Sequence, residues 1–475
     1  MFFSLVFATI FTRFYGLVWG GGFFFHPDEN NMATALSGLS ISSLHPHFFA
    51  YGQFPLYLGY LILKLLGQDN SFTNSIIVLR LLSAVFSSLS VYIFYLISKR
   101  FTIRPFIPTL FFIFTPGLIQ LSHFGTTESL LILVFLSNIY LAFKLSSSSY
   151  PGRLYLLAAV ISGIGIATKI SALFFILPIV IVSLKRPVHL IIFTLLSLSF
   201  SFLLSPYNLL AKSEFISSMR YETQVATGKM DVFYTTQFKD TIPYLFQFTH
   251  IFPYISGLPI FILFFFGLIR KSYIINHKSM ILLLPVLLYV LYFGQLYTKW
   301  TRFMSPVFFI FPLVAGILIA KVGSRLLRFI LVVICIVPGF YFMNLYFFAD
   351  TRITSDQWLR QNVSSSQTVM SESGNVVNLP SADYYHDFYN HDQDKLLDNL
   401  SAAEYIVVPS RRVFKNGIMP TYYEKLFSGE LGFTLVKEFR PNTDFLLDPE
   451  LAEETWSVFD RPTVRLYKRY EEAIR

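Results

Sequence analysis

The stretch Phe25-His26-Pro27-Asp28-Glu29 follows the first long apolar run of the chain and places two adjacent carboxylates at the end of that run. Pro27 suits the first turn of a helix, so a new structural element is expected to begin here. One interpretation is structural, with Asp28 capping a helix that starts near Asn30. The other is functional, because charged side chains directly after an apolar run would lie at a membrane surface.

The composition predicts that this surface exists. The 475 residues are 54% hydrophobic and 14% charged, which is more apolar surface than one soluble core could bury, so a polytopic membrane protein is expected. We read the N-terminal run as a retained span rather than a signal peptide, and the stretch 51–66 as an interfacial or re-entrant helix. About eleven runs are long enough to cross roughly 30 Å of hydrocarbon: 1–25, 76–98, 105–123, 128–145, 154–169, 171–184, 188–206, 251–269, 279–297, 303–320 and 326–348.

The charges segregate strongly between the two sides of this topology. If the N-terminus is cytoplasmic, all eight acids of residues 1–349 lie on the outer side, which includes the long outer loops 26–75 and 207–250. The cytoplasmic connections then carry cations alone, a strong positive-inside signal: Lys99, Arg100, Arg104, Lys144, Arg153, Lys185, Arg186, Arg270, Lys271, Lys278, Lys321, Arg325 and Arg328.

The chain changes character at Asp350. Residues 350–475 have a net charge of −6 and residues 1–349 one of +15, so the basic excess belongs to membrane loops and predicts no nucleic-acid partner. Short runs at Tyr405–Val408 and Phe433–Val436 alternate with helix-like stretches such as Asp392–Leu400. The predicted fold is therefore mainly α: a helical membrane domain, 1–349, followed by a small soluble α/β domain, 350–475, on the outer face.

Acids and cations meet at the outer face. Glu128 begins the fourth predicted span, and Arg80, Lys169 and Arg302 lie at outer ends of spans. Charges within reach of hydrocarbon cost roughly 2.5–3.5 kcal/mol each on insertion scales, so they usually face a partner or a cavity. Transfer of a sugar from a phosphate to a hydroxyl needs a carboxylate that takes the proton of the acceptor and cations that stabilise the leaving phosphate. A polyprenyl-phosphate donor would explain why the site lies in a membrane protein.

Ordered motifs also resemble a known family. The run Arg13–Gly20 with Phe25–Glu29 is similar to the first span and first loop of the GT-C superfamily of glycosyltransferases, near the protein O-mannosyltransferases and aminoarabinose transferases. Later segments of about residues 1–320 resemble the same branch: Asn74–Ser90, Ser122–Ser129, Gly163–Ser171 and Lys299–Pro306. The resemblance implies the GT-C fold, an integral membrane location and inverting transfer from a polyprenyl-phosphate sugar to a lipid, glycan or protein acceptor.

The resemblance also implies roles for particular residues. Asp28 corresponds to the first-loop acid that serves as base or metal ligand, with Glu29 beside it, and Glu128 to the second acidic position. Glu29 and Glu128 would orient the acceptor or a metal. A divalent metal is used by some relatives only, and Asp28 and Glu128 would bind it here. Donor phosphate binding is expected from outer-face groups, in this order: Arg302, Lys169 and Arg80, then Arg220 and Tyr207.

Other interpretations stay open at this stage. A transporter or flippase for lipid-linked sugars would place charges near the membrane midplane and broken helices in repeated halves. A non-catalytic member would use its tail to bind a partner. Arg13 is expected to be structural, and His45 and His47 are spaced for a metal pair but are more often ordinary loop residues.

Overall fold

The computed structural model describes residues 2–149, 151–269, 277–373, 382–387, 393–415 and 420–470. Up to residue 349 the described chain is helical. Its α-helices are α1 (Phe2–Phe14), α2 (Pro27–Ser37), α3 (Phe54–Leu65), α4 (Phe72–Ser98), α5 (Phe106–Ile113), α6 (Pro116–His123), α7 (Glu128–Leu145), α8 (Gly152–Ile166), α9 (Leu177–Ser183), α10 (Pro187–Leu204), α11 (Tyr207–Leu210), α12 (Lys212–Ala226), α13 (Leu245–His250), α14 (Phe252–Ser256), α15 (Leu258–Ile269), α16 (His277–Gly294), α17 (Thr301–Met304), α18 (Ile310–Ala320), α19 (Arg325–Phe342) and α20 (Asn344–Phe347). Short 3₁₀ helices occupy Ile170–Ile176, Phe233–Phe238 and Ser305–Val307.

Four helical stretches of the described chain are long and apolar enough to cross a membrane: α4, α7, α10 and Arg325–Phe347. Three bent pairs raise the number to seven if each is one span: α5 with α6 at 54°, Leu245–Ser256 with Leu258–Ile269 at 116°, and Thr301–Val307 with Ile310–Ala320 at 44°. Shorter apolar helices lie in the other predicted runs. The described chain therefore has at least four candidate membrane spans, and the count of about eleven stays a prediction.

The sharpest bend depends on one glycine. Gly257 separates α14 from α15 with φ of +77°, a left-handed conformation that is favourable for glycine. A Cβ atom at this position would also approach the ring of Pro338 to 2.8 Å. The chain therefore reverses here in less space than a larger residue would need.

The stretch 51–66 contains helix α3, which packs with α2 and α4 through a small apolar cluster that includes Leu36, Leu56 and Leu79. Its twelve residues extend only about 18 Å, too short to cross the hydrocarbon layer unaided. The length agrees with the interfacial or re-entrant helix expected here, and its position in the membrane remains a prediction.

The C-terminal part carries a mixed five-stranded sheet in the order β2-β1-β3-β5-β4. Strands β1, β2 and β3 pair in parallel, whereas β5 pairs antiparallel with β3 and β4. The predicted strand at Tyr405–Val408 is confirmed at the same bounds. Around the sheet lie α21 (Thr351–Asn362), α22 (Gln393–Ala402), α23 (Arg411–Lys415) and α24 (Pro420–Ser428); the strands are β1 (Val369–Ser373), β2 (Tyr384–Asp387), β3 (Tyr405–Val408), β4 (Phe433–Phe439) and β5 (Val464–Arg469).

A segment between β4 and β5 leaves the sheet and packs on the helical part. Trp456, Val458 and Phe459 are buried in the same apolar cluster as residues of α5, α6 and α7. Asp460, fully buried, accepts a hydrogen bond from Gln120 of α6 at 2.8 Å. This segment therefore belongs to the apolar core of the helical part, whereas the sheet packs on separate apolar clusters, and the domain boundary at residue 350 stays a prediction.

Candidate active site

The stretch His26-Pro27-Asp28-Glu29 forms the N-terminus of α2. His26 is the N-cap, and its Nδ1 accepts hydrogen bonds from the backbone N–H groups of Asp28 at 3.2 Å and Glu29 at 3.4 Å. Burial lowers the pKa of His26, which keeps the ring neutral and able to accept these bonds. The interpretation that Asp28 caps a helix starting near Asn30 is therefore wrong, because the helix starts at Pro27 and leaves the Asp28 carboxylate available.

Glu29 points into the protein interior. Arg80 of α4 donates to both of its carboxylate oxygens, from Nε at 3.0 Å and from Nη2 at 2.7 Å, and Gly125 N–H donates to Oε1 at 2.5 Å. The remaining Nη1 of Arg80 donates to the carbonyls of Leu17 and Trp19. Both side chains are at most 1% exposed. This pair joins the first span, α2 and α4, and neither member lines the cavity at Asp28.

Asp28 meets Arg302 of α17, a residue 274 positions further along the chain. Arg302 Nη1 donates to Asp28 Oδ2 and also to the hydroxyl of Tyr51 at 3.0 Å, and its guanidinium stacks on Trp300 at 4.8 Å. The side chains of Asp28 and Arg302 are 21% and 26% exposed, so a ligand has access to the pair. The buried Nε of Arg302 has no hydrogen-bond partner among the described residues.

The environment keeps Asp28 ionised. Burial opposes its ionisation, but Arg302 and then His26 outweigh that effect, and the pKa of Asp28 falls below its usual value of 3.8. Burial raises the pKa of Tyr51 well above 10, so its phenol stays protonated. At neutral pH the site thus presents a carboxylate, a guanidinium and a neutral phenol in contact.

A second acid and cation pair lies beside the first. Lys169 Nζ is 3.6 Å from Glu128 Oε1 and lies 5.0 Å from the ring centre of Tyr51. Gly52 makes this proximity possible: its N–H donates to the carbonyl of Thr168 at 2.8 Å, and a Cβ atom at this position would be 2.0 Å from the carbonyl oxygen of Ala167. The close backbone approach holds the Tyr51 loop against the turn at Lys169.

Glu222 is a site residue that the sequence analysis did not select. It lies on α12 in the loop 207–250, half-buried, and its charge interacts with Arg302, Lys169 and Asp28. Burial raises its pKa, and the two cations oppose the rise. The sequence signal was weak, because Glu222 was one of eight outer acids and no local motif surrounds it. Arg220, two residues earlier, is exposed, and Tyr207 stacks on His45 with ring centres 4.4 Å apart.

The C-terminal segment completes the site from the other side. Glu453, fully buried, accepts hydrogen bonds from the backbone N–H of Thr301 at 3.0 Å and from its hydroxyl at 2.8 Å. These contacts fix the start of α17 directly before Arg302. Thr455 and Phe459 line the cavity that contains Asp28 and Arg302. Nothing in the tail had suggested this role.

The cavity at Asp28 is small. Its volume is about 30 Å³, and its lining includes His26, Glu128 and Thr126 as well as the Asp28–Arg302 pair. This space suits about one water molecule. A ligand larger than a water molecule therefore has to approach from the exposed side of the pair, where the two charged groups reach solvent.

The residues proposed to bind a metal do not form a metal site here. Arg302 occupies the Asp28 carboxylate and Lys169 lies against Glu128, so each acid faces a cation. Among the described residues, the one group of three or more His, Cys, Asp or Glu side chains with ligand atoms within 4.8 Å of one another is His45, His47 and Glu214. The donor set at Asp28 and Glu128 therefore does not fit a divalent cation, which needs several oxygen ligands together.

Comparison with known proteins identifies the fold of the chain. Residues 31–211 match the family "Dolichyl-phosphate-mannose-protein mannosyltransferase". The fold superimposes on ArnT from Cupriavidus metallidurans, with a TM-score of 0.53, 11% identity, and coverage of 98% of this chain and 97% of ArnT; ArnT structures exist in the apo state and bound to undecaprenyl phosphate. The chain has the GT-C fold. This finding confirms the predicted resemblance to GT-C glycosyltransferases.

A second GT-C protein supports the same fold. The archaeal oligosaccharyltransferase AglB from Archaeoglobus fulgidus, in complex with an inhibitory peptide and a dolichol-phosphate, matches with a TM-score of 0.53 and 10% identity, over 94% of this chain and 73% of AglB. No curated protein sequence matches the chain. The family match includes Arg80, Glu128 and Lys169 and begins two residues after Glu29, so Asp28 and Arg302 lie outside it.

Proposed function

We propose that the protein is an inverting glycosyltransferase that moves a sugar from a polyprenyl-phosphate donor to a hydroxyl or phosphate of a lipid, glycan or protein at the outer membrane face. One observation carries the proposal: the Asp28 carboxylate contacts Arg302 in a partly exposed position, with Lys169 and Glu128 beside it. A base and the cations that would bind a phosphate are thus within reach of one ligand.

The proposed reaction assigns each group one task. Asp28 takes the proton of the acceptor hydroxyl while the oxygen of that hydroxyl attacks the anomeric carbon of the donor sugar. The bond between that carbon and the phosphate oxygen breaks, and the electron pair leaves with the polyprenyl phosphate. Arg302 and Lys169 stabilise the negative charge on that phosphate. Arg302 Nε, which has no hydrogen-bond partner among the described residues, would donate a hydrogen bond to that phosphate.

Apolar cavities near the cations are consistent with a lipid donor. One of about 730 Å³ is lined by Leu173, Phe174, Leu177, Leu288 and Tyr292, and Leu173 lies one helical turn after Lys169. Such a volume, with mostly apolar walls, suits part of an isoprenoid chain while its phosphate stays at the cations. A second apolar cavity of about 610 Å³ shares Tyr244 with the first.

The transporter alternative has less support. Bent helices are present, but the charged groups of this site gather at the ends of α2, α7, α8 and α17 rather than along a path through the bundle. A transporter would also bind its substrate without need of the Asp28 carboxylate as a base.

Two measurements test the proposal. Undecaprenyl phosphate should bind the purified protein, bind Asp28→Asn at least as well, and bind Arg302→Gln much more weakly. A host strain that lacks the gene should regain its missing glycosylated product, detected by mass spectrometry, with the wild-type chain and with the outer-loop control Asp231→Asn but not with Asp28→Asn. Full restoration by Asp28→Asn would disprove the base assignment, and failure of the wild type to bind undecaprenyl phosphate would disprove the donor class.

A further inference from the structure

Three side chains with metal-binding atoms converge away from the site already described. His45 and His47 flank Pro46 in the first outer loop, and Glu214 lies on α12 in the second. His45 Nε2 is 3.6 Å and His47 Nδ1 is 3.2 Å from the same carboxylate oxygen, Glu214 Oε2. All three ligand atoms lie within 4.8 Å of one another. The two loops therefore meet at a cluster of two imidazoles and one carboxylate.

Hydrogen bonding accounts for only part of this arrangement, because His47 Nδ1 hydrogen-bonds Glu214 but His45 does not. The Nε2 atom of His45 is buried and has no hydrogen-bond partner among the described residues, although it faces Glu214. Its ring is fixed by Tyr207, which stacks on it in parallel with centres 4.4 Å apart, and by Pro46, which restricts the backbone of the residue before it. A buried, oriented and unpartnered ring nitrogen points to a ligand that the protein itself does not supply.

The backbone at His47 supports the same conclusion. His47 has φ of +48°, a left-handed conformation that is unfavourable for a residue with a side chain. Its ring centre nevertheless lies 3.7 Å from that of His45, which brings two potentially cationic groups together. Backbone strain that brings ligating side chains together is characteristic of functional sites.

We propose that His45, His47 and Glu214 bind a zinc ion. Two imidazole nitrogens and a carboxylate are a common zinc donor set, with water in the fourth position. Ligand atoms at the usual 2.0–2.1 Å from zinc are about 3.3–3.4 Å apart in a tetrahedron, and the distances of 3.2 and 3.6 Å to Glu214 lie close to that spacing. Magnesium and calcium prefer oxygen ligands, so this set selects against them.

The ion would fasten the two outer loops together at the entrance to the Asp28 site. Tyr51, four residues after His47, contacts Arg302, and Glu222, eight residues after Glu214, faces the same cation. Eight residues of α-helix rise about 12 Å, so the zinc would be two turns of α12 away from Glu222. The zinc would thus have a positioning role, because it would hold in place the two loops that carry Tyr51 and Glu222.

The test measures metal directly and does not depend on the transfer reaction. The full chain, purified in detergent and stripped with a chelator, is loaded with excess Zn²⁺, desalted and analysed by elemental mass spectrometry. We expect about one zinc per wild-type chain and a melting temperature higher by about 3 °C at a hundredfold excess over Kd. Mg²⁺ should produce no such rise. Co²⁺ in place of zinc should give the intense visible bands of a four-coordinate site.

Matched variants locate the ion. Glu214→Gln and His47→Gln should each lose the zinc and the cobalt bands, whereas Asp231→Asn, an exposed acid of the same outer loop, should keep both. Size-exclusion profiles show whether the variants are folded, and the cobalt spectrum of the wild type tests the site without any variant. Fewer than about 0.1 zinc per wild-type chain, equal zinc in folded Glu214→Gln and wild type, or an equal effect of Mg²⁺ would each overturn the proposal. Zinc binding without glycosyl transfer would leave this inference intact and count against the proposed function alone.

Discussion

Asp28 and Glu29 are neighbours in the first turn of α2, and each contacts an arginine, but the two ion pairs differ in every other respect. Consecutive helical residues point about 100° apart, so Glu29 is directed into the bundle and Asp28 to its outer rim. The Glu29–Arg80 pair is at most 1% exposed, whereas the side chains of Asp28 and Arg302 are 21% and 26% exposed. Two consecutive residues of one helical turn thus belong to a candidate site and to a structural contact.

The difference lies in how many hydrogen-bonding groups remain available. Every nitrogen of Arg80 donates within the protein, and both Glu29 oxygens accept. Such a saturated network is stable and has no group left for a ligand. Arg302, in contrast, keeps a buried Nε without a partner among the described residues. We therefore propose that Glu29 and Arg80 support the site rather than bind substrate.

The largest expected effect is the loss of turnover in Asp28→Asn. Removal of a general base typically costs 10²–10⁴ in rate, and asparagine preserves the size of the side chain. We expect the rate of sugar transfer to fall by at least about 10² while the melting temperature stays close to that of the wild type. Initial rates and thermal unfolding of the same preparation check both parts. An inactive variant that is also strongly destabilised would mean that the two ion pairs do not differ as proposed.

Glu29→Ala should show the opposite behaviour. It leaves the guanidinium of Arg80 buried without its carboxylate, which typically costs about 3–5 kcal/mol of stability. We expect a large drop in melting temperature and in yield, with the transfer rate per folded molecule within a few-fold of the wild type. A stable, correctly folded Glu29→Ala without activity would restore the first assignment of Glu29, as a residue that orients the acceptor.

Much of this could be predicted from the sequence, for identifiable reasons. Apolar runs indicated a helical membrane protein, which agrees with the candidate spans, and the short run Tyr405–Val408 is a strand. Asp28 and Arg302 were proposed for one site from a family resemblance, and the structure brings them into contact across 274 positions. The role proposed for Arg80 rested on its place at a span end, which does not reveal whether a side chain points inward.

The rest depends on contacts that no local pattern encodes. A hydrophobic run does not show that it is bent, so the 116° reversal at Gly257 could not be read from it. Glu453 and Thr455 lie in a polar stretch of the tail with no motif, and they matter only because the fold brings that stretch against α17. Glu222 likewise becomes a site residue through the path of α12 alone.

Asp460 forms a third ion pair, which can be compared with the buried Glu29–Arg80 pair and the partly exposed Asp28–Arg302 pair. Its carboxylate is buried beside Arg461, and burial raises its pKa from 3.8 to about 6. The folded state then holds this proton more tightly than the unfolded state, so stability falls as pH rises from about 4 to 6. The melting temperature of the wild type should fall more steeply over this range than that of Asp460→Asn, and parallel curves would contradict the assignment.

The smallest expected effect is that of Glu453→Ala. This substitution tests whether the Asp28–Arg302 pair depends on support from the C-terminal segment. The substitution removes the acceptor for the N–H and hydroxyl of Thr301, and an unsatisfied buried donor typically costs about 1–3 kcal/mol. Because Thr301 precedes Arg302, we expect weaker binding of undecaprenyl phosphate, by about tenfold, with Asp28 chemistry preserved once donor is saturating. Glu453→Gln keeps an acceptor oxygen and should recover most of the affinity. If Glu453→Ala instead lowered the maximal rate and left donor binding unchanged, the tail would act on the acceptor rather than on Arg302.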